Sequence, residues 1–161
     1  MTERVVVVGL GSNLGDRLRH LQNAHRALDR APYSVQATSR IFETEPVGPP
    51  QPHYLNAALR LQTGAPLVEL LSLIHGIERA EGRERRERWG PRTLDIDILW
   101  AKGETVDEPG LVVPHPHLLD RAFALAPLLD VLAVAPAGYS ARLAALGGAP
   151  PVVEGSLSLP K

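Results

Sequence analysis

The sequence predicts an α+β fold in which an antiparallel sheet carries helices on one face. Three observations predict it. Strand-like and helix-like apolar periods follow one another in the order βαββαβ along 161 residues. Both predicted helices have an apolar stripe on one side only, which suits packing on a sheet. Neither a repeat nor a linker interrupts the chain. These features are typical of a ferredoxin-like two-layer sandwich, with a small hairpin and C-terminal extras added to it.

The spacing of apolar residues assigns each segment to a strand or a helix, beginning with the first two elements. Residues 5–8 form a β-branched run, which is typical of a buried strand. Leucines then recur at helical spacing, so a helix is predicted over residues 14–30, with Ser12 or Asn13 as its N-cap. The other predicted elements are strands at 34–43 and 54–62, a helix from Pro66 to Gly82, a strand at 94–100, a hairpin at 104–113 and a short apolar helix interrupted by Pro127.

The strand at 94–100 carries the strongest chemical signal. Side chains alternate along a strand, so Asp95 and Asp97 share one face, about 7 Å apart at their Cα atoms. The loop before it, residues 82–92, is rich in arginine. Carboxylates with substrate phosphates are typical Mg²⁺ ligands, and arginine matches phosphate oxygens. A solvated acidic strand beside a solvated charged loop is the alternative, and the arginine cluster favours the phosphate site.

Aromatic and polar side chains suggest a neighbouring pocket. Tyr54 and Asn56 share the face of their strand that points away from its apolar side, so we expect them to gather with the two aspartates on one open face of the sheet. They suit a flat heterocycle, although a solvated surface pair is the commoner case. Phe123 suits a second aromatic wall or simply the core. His115 suits a place near phosphates better than a zinc site.

Composition narrows the function classes. Hydrophobic content of 44% and charged content of 22% are ordinary globular values, and a single domain over residues 1–161 is expected. The net charge of −1 argues against a nucleic-acid coat. There is no cysteine, no recognisable secretory signal and no apolar run long enough for a membrane span. We therefore expect a cytoplasmic protein without nucleic-acid or membrane partners.

Several segments together resemble one enzyme family. RWGPRTLDIDIL at 88–99 resembles the signature of 6-hydroxymethyl-7,8-dihydropterin pyrophosphokinases. Further collinear segments share the resemblance: GSNLGD at 11–16, EPVGPPQPHYLNAA at 45–58, IERAEGRERRERWG at 77–90 and VPHPHLLDRAF at 113–123.

The resemblance implies a reaction and a set of site residues. It implies an enzyme that transfers pyrophosphate from ATP to 6-hydroxymethyl-7,8-dihydropterin and releases AMP in tetrahydrofolate biosynthesis, using two Mg²⁺ ions on a ferredoxin-like fold. We separately expect a monomer. Asp95 and Asp97 match the metal ligands, and Arg83 and Arg92 match loop arginines tied to turnover. The pterin positions are Thr44, Val47, Tyr54, Asn56 and Phe123. The ATP positions are Glu78, Arg85, Arg88, Trp89, Arg92, Ile98, His115 and Arg121.

The sequence departs from the family pattern at positions expected to contact adenosine: His75, Gly110, Val112 and Pro116. Two other functions are compatible with this architecture. An RNA-binding module of this architecture would carry stacking aromatics in an RNP1-type sequence and a basic surface, whereas this chain is 4% aromatic and slightly acidic. A small-molecule-sensing domain would leave the paired aspartates and the arginine loop unexplained.

Overall fold

The computed structural model describes residues 3–46, 48, 50–82 and 92–158. This part of the chain forms a six-stranded sheet, a two-stranded hairpin and the helices that cover the sheet. In chain order the elements are β1 (Arg4–Ser12), α1 (Arg17–Leu28), β2 (Tyr33–Thr38), β3 (Ile41–Thr44), β4 (Tyr54–Thr63), α2 (Leu67–Ala80), β5 (Asp95–Ala101), β6 (Val106–Glu108), β7 (Leu111–Val113), α3 (Ala122–Val131), α4 (Tyr139–Ala145) and β8 (Val152–Val153).

The sheet is antiparallel throughout, with the strand order β5-β1-β4-β3-β8. β2 also pairs with β4, on the side that β3 occupies further along. The central strand β1 therefore lies between β4 and β5. Its own sequence explains that position, because Val6, Val7 and Val8 are fully buried and β-branched side chains pack well inside a sheet.

Helices α1 and α2 pack on one face of the sheet, which confirms the predicted α+β architecture. The core on that face joins Val6, Val8 and Leu10 of β1 to Leu21 of α1 and Leu70 of α2. Apolar residues spaced three and four apart bring each helix stripe onto this core.

The opposite face is partly covered by α3. Val7 of β1, Ala58 of β4 and Leu99 of β5 pack there against Leu125 and Leu128 of α3. This cover stops short of the end of β1, where the alternation places Gly9 and Gly11 on the same face as Val7. An uncovered area of sheet therefore remains beside the start of α3.

Three local predictions need correction. The strand expected at 34–43 is two strands, because Ser39 interrupts the ladder and its side chain takes over part of the pairing. Asp16, rather than Ser12 or Asn13, caps α1 by accepting the Arg19 N–H at 3.1 Å. The last predicted helix continues through Pro127 as α3.

The later parts of the chain complete the fold. The hairpin predicted at 104–113 is formed by β6 and β7. The C-terminal residues add α4 and then β8, which pairs with the outer edge of β3. Within the described residues, no helix combines the length and apolar character that a membrane span requires.

Ser39 provides a test of how β4 is held. Its hydroxyl accepts the N–H of the fully buried Ala58 at 2.8 Å, and its own N–H donates to Ala58 O at 3.0 Å. Ser39→Ala should lower the free energy of unfolding by about 1–3 kcal/mol, because it leaves a buried N–H unsatisfied. Urea denaturation measures this change. Ser34→Ala, at an exposed position of β2, is the control, and equal stabilities of the two variants would contradict the assignment.

Candidate active site

The register of β1 brings the two aspartates to the uncovered area of the sheet. Gly9 lies opposite Asp97 and Gly11 lies opposite Asp95 in the pairing of β1 with β5. On its other side, Gly11 lies opposite Asn56 of β4. Residues directly opposite each other in an antiparallel pair share a face, so the two aspartates and Asn56 lie on one face, as the alternation predicted.

A first cavity of about 100 Å³ lies over β4 and the start of α3. Asn56 Nδ2 donates to Thr44 Oγ1 at 2.6 Å, which links β4 to β3 inside the cavity. A Cβ atom at Gly11 would lie 3.2 Å from Asn56 Oδ1, so glycine here lets the amide keep its position. Across the cavity, the Arg121 guanidinium lies 5.6 Å from the centre of the Phe123 ring. The predicted pterin positions on its wall are Thr44, Tyr54, Asn56 and Phe123.

A second, larger cavity of about 470 Å³ lies between α2, β5 and the β6–β7 hairpin. Glu78 of α2 is only 4% exposed, and its carboxylate accepts the Ile96 N–H at 3.0 Å, so it joins the helix to the edge strand. The predicted nucleotide positions on its wall are Glu78, Arg92, Ile98, His115 and Arg121. The four positions that depart from the family pattern, His75, Gly110, Val112 and Pro116, line this same cavity.

The charged residues lie where the two cavities meet. Arg92, Asp95, Asp97 and Arg121 line both cavities. Arg92 Nη1 lies 3.4 Å from Asp95 Oδ2, with both side chains about one quarter exposed, at 28% and 25%. A molecule in one cavity can therefore meet a molecule in the other beside two carboxylates and two guanidinium groups.

A family model described as 7,8-dihydro-6-hydroxymethylpterin-pyrophosphokinase (HPPK) matches residues 7–133. The chain belongs to this family. It is 43% identical over 129 residues to a 2-amino-4-hydroxy-6-hydroxymethyldihydropteridine pyrophosphokinase of Bacillus subtilis, covering 79% of this chain and 77% of the relative. The protein of that name from Pseudomonas aeruginosa is 42% identical over 128 residues, covering 78% and 79%.

Solved structures support the fold. The HPPK-DHPS of Plasmodium falciparum with pterin and p-hydroxybenzoate matches with a TM-score of 0.61 at 15% identity, covering 81% of this chain. The chain spans only 38% of that longer protein. At this identity the likeness concerns the fold alone.

Family membership confirms the enzyme hypothesis over the RNA-binding and sensing alternatives. The chain is a pyrophosphokinase, a class of diphosphotransferase, and the family supports a place in folate synthesis. The roles of all the predicted site residues stay predictions, and five of these residues lie outside the described part of the chain: Val47, Arg83, Arg85, Arg88 and Trp89.

Asn13 supports the site from outside the two cavities, whereas the sequence favoured helix capping for it and only secondarily a role in shaping a ligand pocket. It is 1% exposed, and its Nδ2 donates to Gln51 Oε1 at 2.8 Å and to Pro52 O at 2.9 Å. Its Oδ1 accepts the Arg92 N–H at 2.9 Å, and its own N–H donates to Arg92 O at 3.1 Å. Asn13 thus ties the segment before Tyr54 to the backbone of Arg92. Its place at the end of a buried strand and within the GSNLGD segment at 11–16 were the signals in the sequence. Glu45, Leu99 and Ala124 also line the first cavity and were not predicted.

The surroundings of His115 favour a neutral ring. Burial lowers the pKa of His115 below its ordinary 6.5, Arg121 and His117 lower it further, and Asp95 acts in the opposite direction. The His117 N–H donates to His115 Nδ1 at 3.1 Å. Because Nδ1 is the acceptor, the neutral ring carries its proton on Nε2.

We expect NMR titration of the histidine side chains to give His115 a midpoint below 6.5 and an Nε2–H tautomer at pH 7. The folded state then binds this proton more weakly than the unfolded state, so the free energy of unfolding falls as the pH drops below 6.5. His115→Gln should weaken that dependence. Arg121→Gln should raise the midpoint only in part, because burial is the larger cause. A midpoint at or above 6.5 would contradict the assignment.

Proposed function

We propose that the chain transfers pyrophosphate from ATP to the hydroxymethyl group of 6-hydroxymethyl-7,8-dihydropterin, with Mg²⁺, and releases AMP in folate synthesis. The observation that carries the proposal is the position of Asp95 and Asp97 at the junction of two cavities, between Arg92 and Arg121. A transfer between two bound substrates needs such a junction, because the reacting atoms must come within about 3–3.5 Å of each other.

The first cavity suits the pterin. Tyr54 and Phe123 offer aromatic surface for a flat bicyclic ring, and Asn56 offers an amide for its polar edge. The hydrogen bond to Thr44 restrains the Asn56 side chain before any ligand binds, which reduces the entropy lost on binding. Val47, outside the described residues, is proposed to contribute a backbone contact.

The second cavity suits ATP. Ile98 offers apolar surface for the nucleoside, while His115 and Arg121 offer N–H donors for its phosphates. The cavity is several times larger than the first, as the larger substrate requires. The hydrogen bond that Glu78 accepts from the Ile96 N–H of β5 supports a structural part in shaping this cavity. Arg85, Arg88 and Trp89 are proposed to add nucleotide contacts from outside the described residues.

The acid pair fits magnesium. Asp95 and Asp97 face glycines across the strand pairing, so no side chain of β1 fills the space beside them. Across the described residues, histidine and acidic side chains form no group of three or more that would hold a metal ion by themselves. Two carboxylates completed by phosphate oxygens and water match the ligand preference of Mg²⁺. Two bound Mg²⁺ ions would supply charge compensation for the attacking and leaving oxygens.

The residues of the chain act mainly by position and charge. The pterin hydroxyl oxygen forms a bond to the β-phosphorus of ATP, the bond from that phosphorus to the α–β bridging oxygen breaks, and AMP leaves with that oxygen. The hydroxyl proton passes to solvent. Arg92 neutralises charge that develops on the transferred group, and Arg83 is proposed to assist it from outside the described residues.

Other parts of the proposal stay predictions: a monomer, a single domain over residues 1–161 and a cytoplasmic location. The bifunctional names of some relatives describe longer proteins. One such Arabidopsis thaliana protein, a folate synthesis bifunctional protein, is matched over only 24% of its length.

The proposed function is tested by AMP release that requires ATP, the hydroxymethyl-dihydropterin and Mg²⁺ together. Asp95→Asn and Asp97→Asn should each lower turnover by more than about 100-fold, because each removes a carboxylate charge from the metal site. Circular dichroism and thermal melting check that the fold survives. Asp107→Asn, on the exposed hairpin, is the matched control. Near-normal turnover of either site variant at saturating Mg²⁺ would contradict the assignment of Asp95 and Asp97 as magnesium ligands.

Arg92 should act in the chemical step. Arg92→Ala is expected to slow single-turnover transfer by about 100-fold, the usual cost of losing one donor to developing charge. Equilibrium affinity for the pterin should change much less, because the backbone of Arg92 stays bound to Asn13. Arg26→Ala, on the exposed side of α1, is the control. An unchanged single-turnover rate would rule this role out.

A further inference from the structure

The C-terminal strap, residues 150–157, runs along the outer edge of β3. It lies beyond the residues that the family model matches, which end at 133. Val153 and Val152 pair with Ile41 and Phe42 in antiparallel register. The Glu43 N–H then donates to the carbonyl of Pro151 at 2.9 Å. Without this strap, β3 would be a four-residue strand with a partner on one side only.

The strap is anchored again after β8. Gln22 Nε2 of α1 donates to Ser156 O at 2.9 Å, and the Leu157 side chain, 2% exposed, is buried in the core on the helix face. Gly155 lies between β8 and these contacts, with φ of +144°. A Cβ atom there would lie 3.3 Å from Ile41 Cδ1 and 3.4 Å from a Leu18 methyl group. The backbone thus approaches both β3 and α1 closely.

The residues that follow the strapped part of β3 form a wall of the first cavity. Glu43, bound by the strap, is followed directly by Thr44 and Glu45, which both line the cavity. Thr44 Oγ1 accepts the hydrogen bond from Asn56, whose register partner on β3 is Phe42. A shift of β3 away from β4 would therefore lengthen the bond that orients the Asn56 amide.

We propose that the C-terminal strap is a positioning element of the pterin pocket. By pairing with the outer edge of β3, it keeps Thr44 at bonding distance from Asn56 and so pre-organises the polar wall of the first cavity. The inference rests on the proposed function, because it assigns that cavity to the pterin. The second cavity has no wall on β3, so loss of the strap pairing raises the pterin KM and leaves the ATP KM unchanged.

The hydrogen-bond pattern between β8 and β3 allows two neighbouring proline variants to be compared, of which only one breaks the pairing. Residue pairs in such a ladder alternate between hydrogen-bonded and non-hydrogen-bonded. The Glu43 N–H bonds to the Pro151 carbonyl, so Glu43 and Pro151 are a hydrogen-bonded pair. Two residues further along, Ile41 and Val153 are therefore hydrogen-bonded as well. Val152 belongs to the pair in between, so its N–H faces away from β3. Val153→Pro removes a ladder bond, whereas Val152→Pro makes the same change one residue earlier and leaves the ladder intact. Val153→Ala keeps the N–H and reports the loss of packing alone.

The experiment titrates each substrate at saturation of the other and follows AMP release in the full chain. Val153→Pro should raise the pterin KM about five- to tenfold, since ordering of β3 must now accompany binding. The ATP KM should stay within about twofold of wild type, which a general loss of stability would not produce. Val152→Pro and Val153→Ala should resemble wild type. Fluorescence titration with the pterin alone checks that the change lies in binding.

An unchanged pterin KM in a folded Val153→Pro variant, or parallel rises in both KM values, overturns the inference. If thermal melting shows that Val153→Pro does not fold, Gln22→Ala takes its place, because it removes only the anchor at Ser156. A pterin-specific rise there supports the strap, and no rise overturns it. The two hypotheses fail in different ways. If the wild-type chain shows no pterin-dependent AMP release, the proposed function is wrong. If the wild type is active and the strap variants behave like it, only the inference about the strap is wrong.

Discussion

The candidate site depends on the register in which β1 pairs with strands on both of its sides. That register sets Gly11 between Asn56 on β4 and Asp95 on β5. A slip by one residue would turn every side chain of a strand to the other face. The same register buries Val6 and Val8 under the helices, so burial of the core and assembly of the site are set by one pairing. Core packing on the helix face therefore also fixes the position of the acid pair on the other face.

The open area of sheet at the acid pair follows from where α3 begins. Val7 is covered by the α3 core, while Gly9 and Gly11, further along the same face, have no side chains to pack. The residues at the start of α3, Arg121 and Phe123, line the first cavity. One helix thus covers the apolar half of this face and forms a wall over the polar half. The cavity is the space that remains between the start of α3 and the part of β1 that carries Gly9 and Gly11.

Local patterns in the sequence predicted which residues of one strand share a face, but they did not predict contacts between residues far apart in the chain. The alternation of side chains along a strand was enough to place Asp95 and Asp97 on one face, and likewise Tyr54 and Asn56, because the residues of each pair are two positions apart. Asn13 bonds to groups 38, 39 and 79 residues away, which no local period encodes, so helix capping was the nearer explanation. The split of the strand at 34–43 likewise depends on the fit of the Ser39 hydroxyl to β4. The resemblance to a family supplied the site roles that periodicity could not.

Arg92 combines a fixed backbone with an exchangeable side chain. Its N–H and carbonyl are both bound to Asn13, whereas its guanidinium meets Asp95 at 3.4 Å in a partly solvated pair. Solvent reaches both side chains of this pair, whereas the backbone bonds of Arg92 involve the buried Asn13. A negatively charged group bound at this junction would therefore compete with Asp95 for the guanidinium.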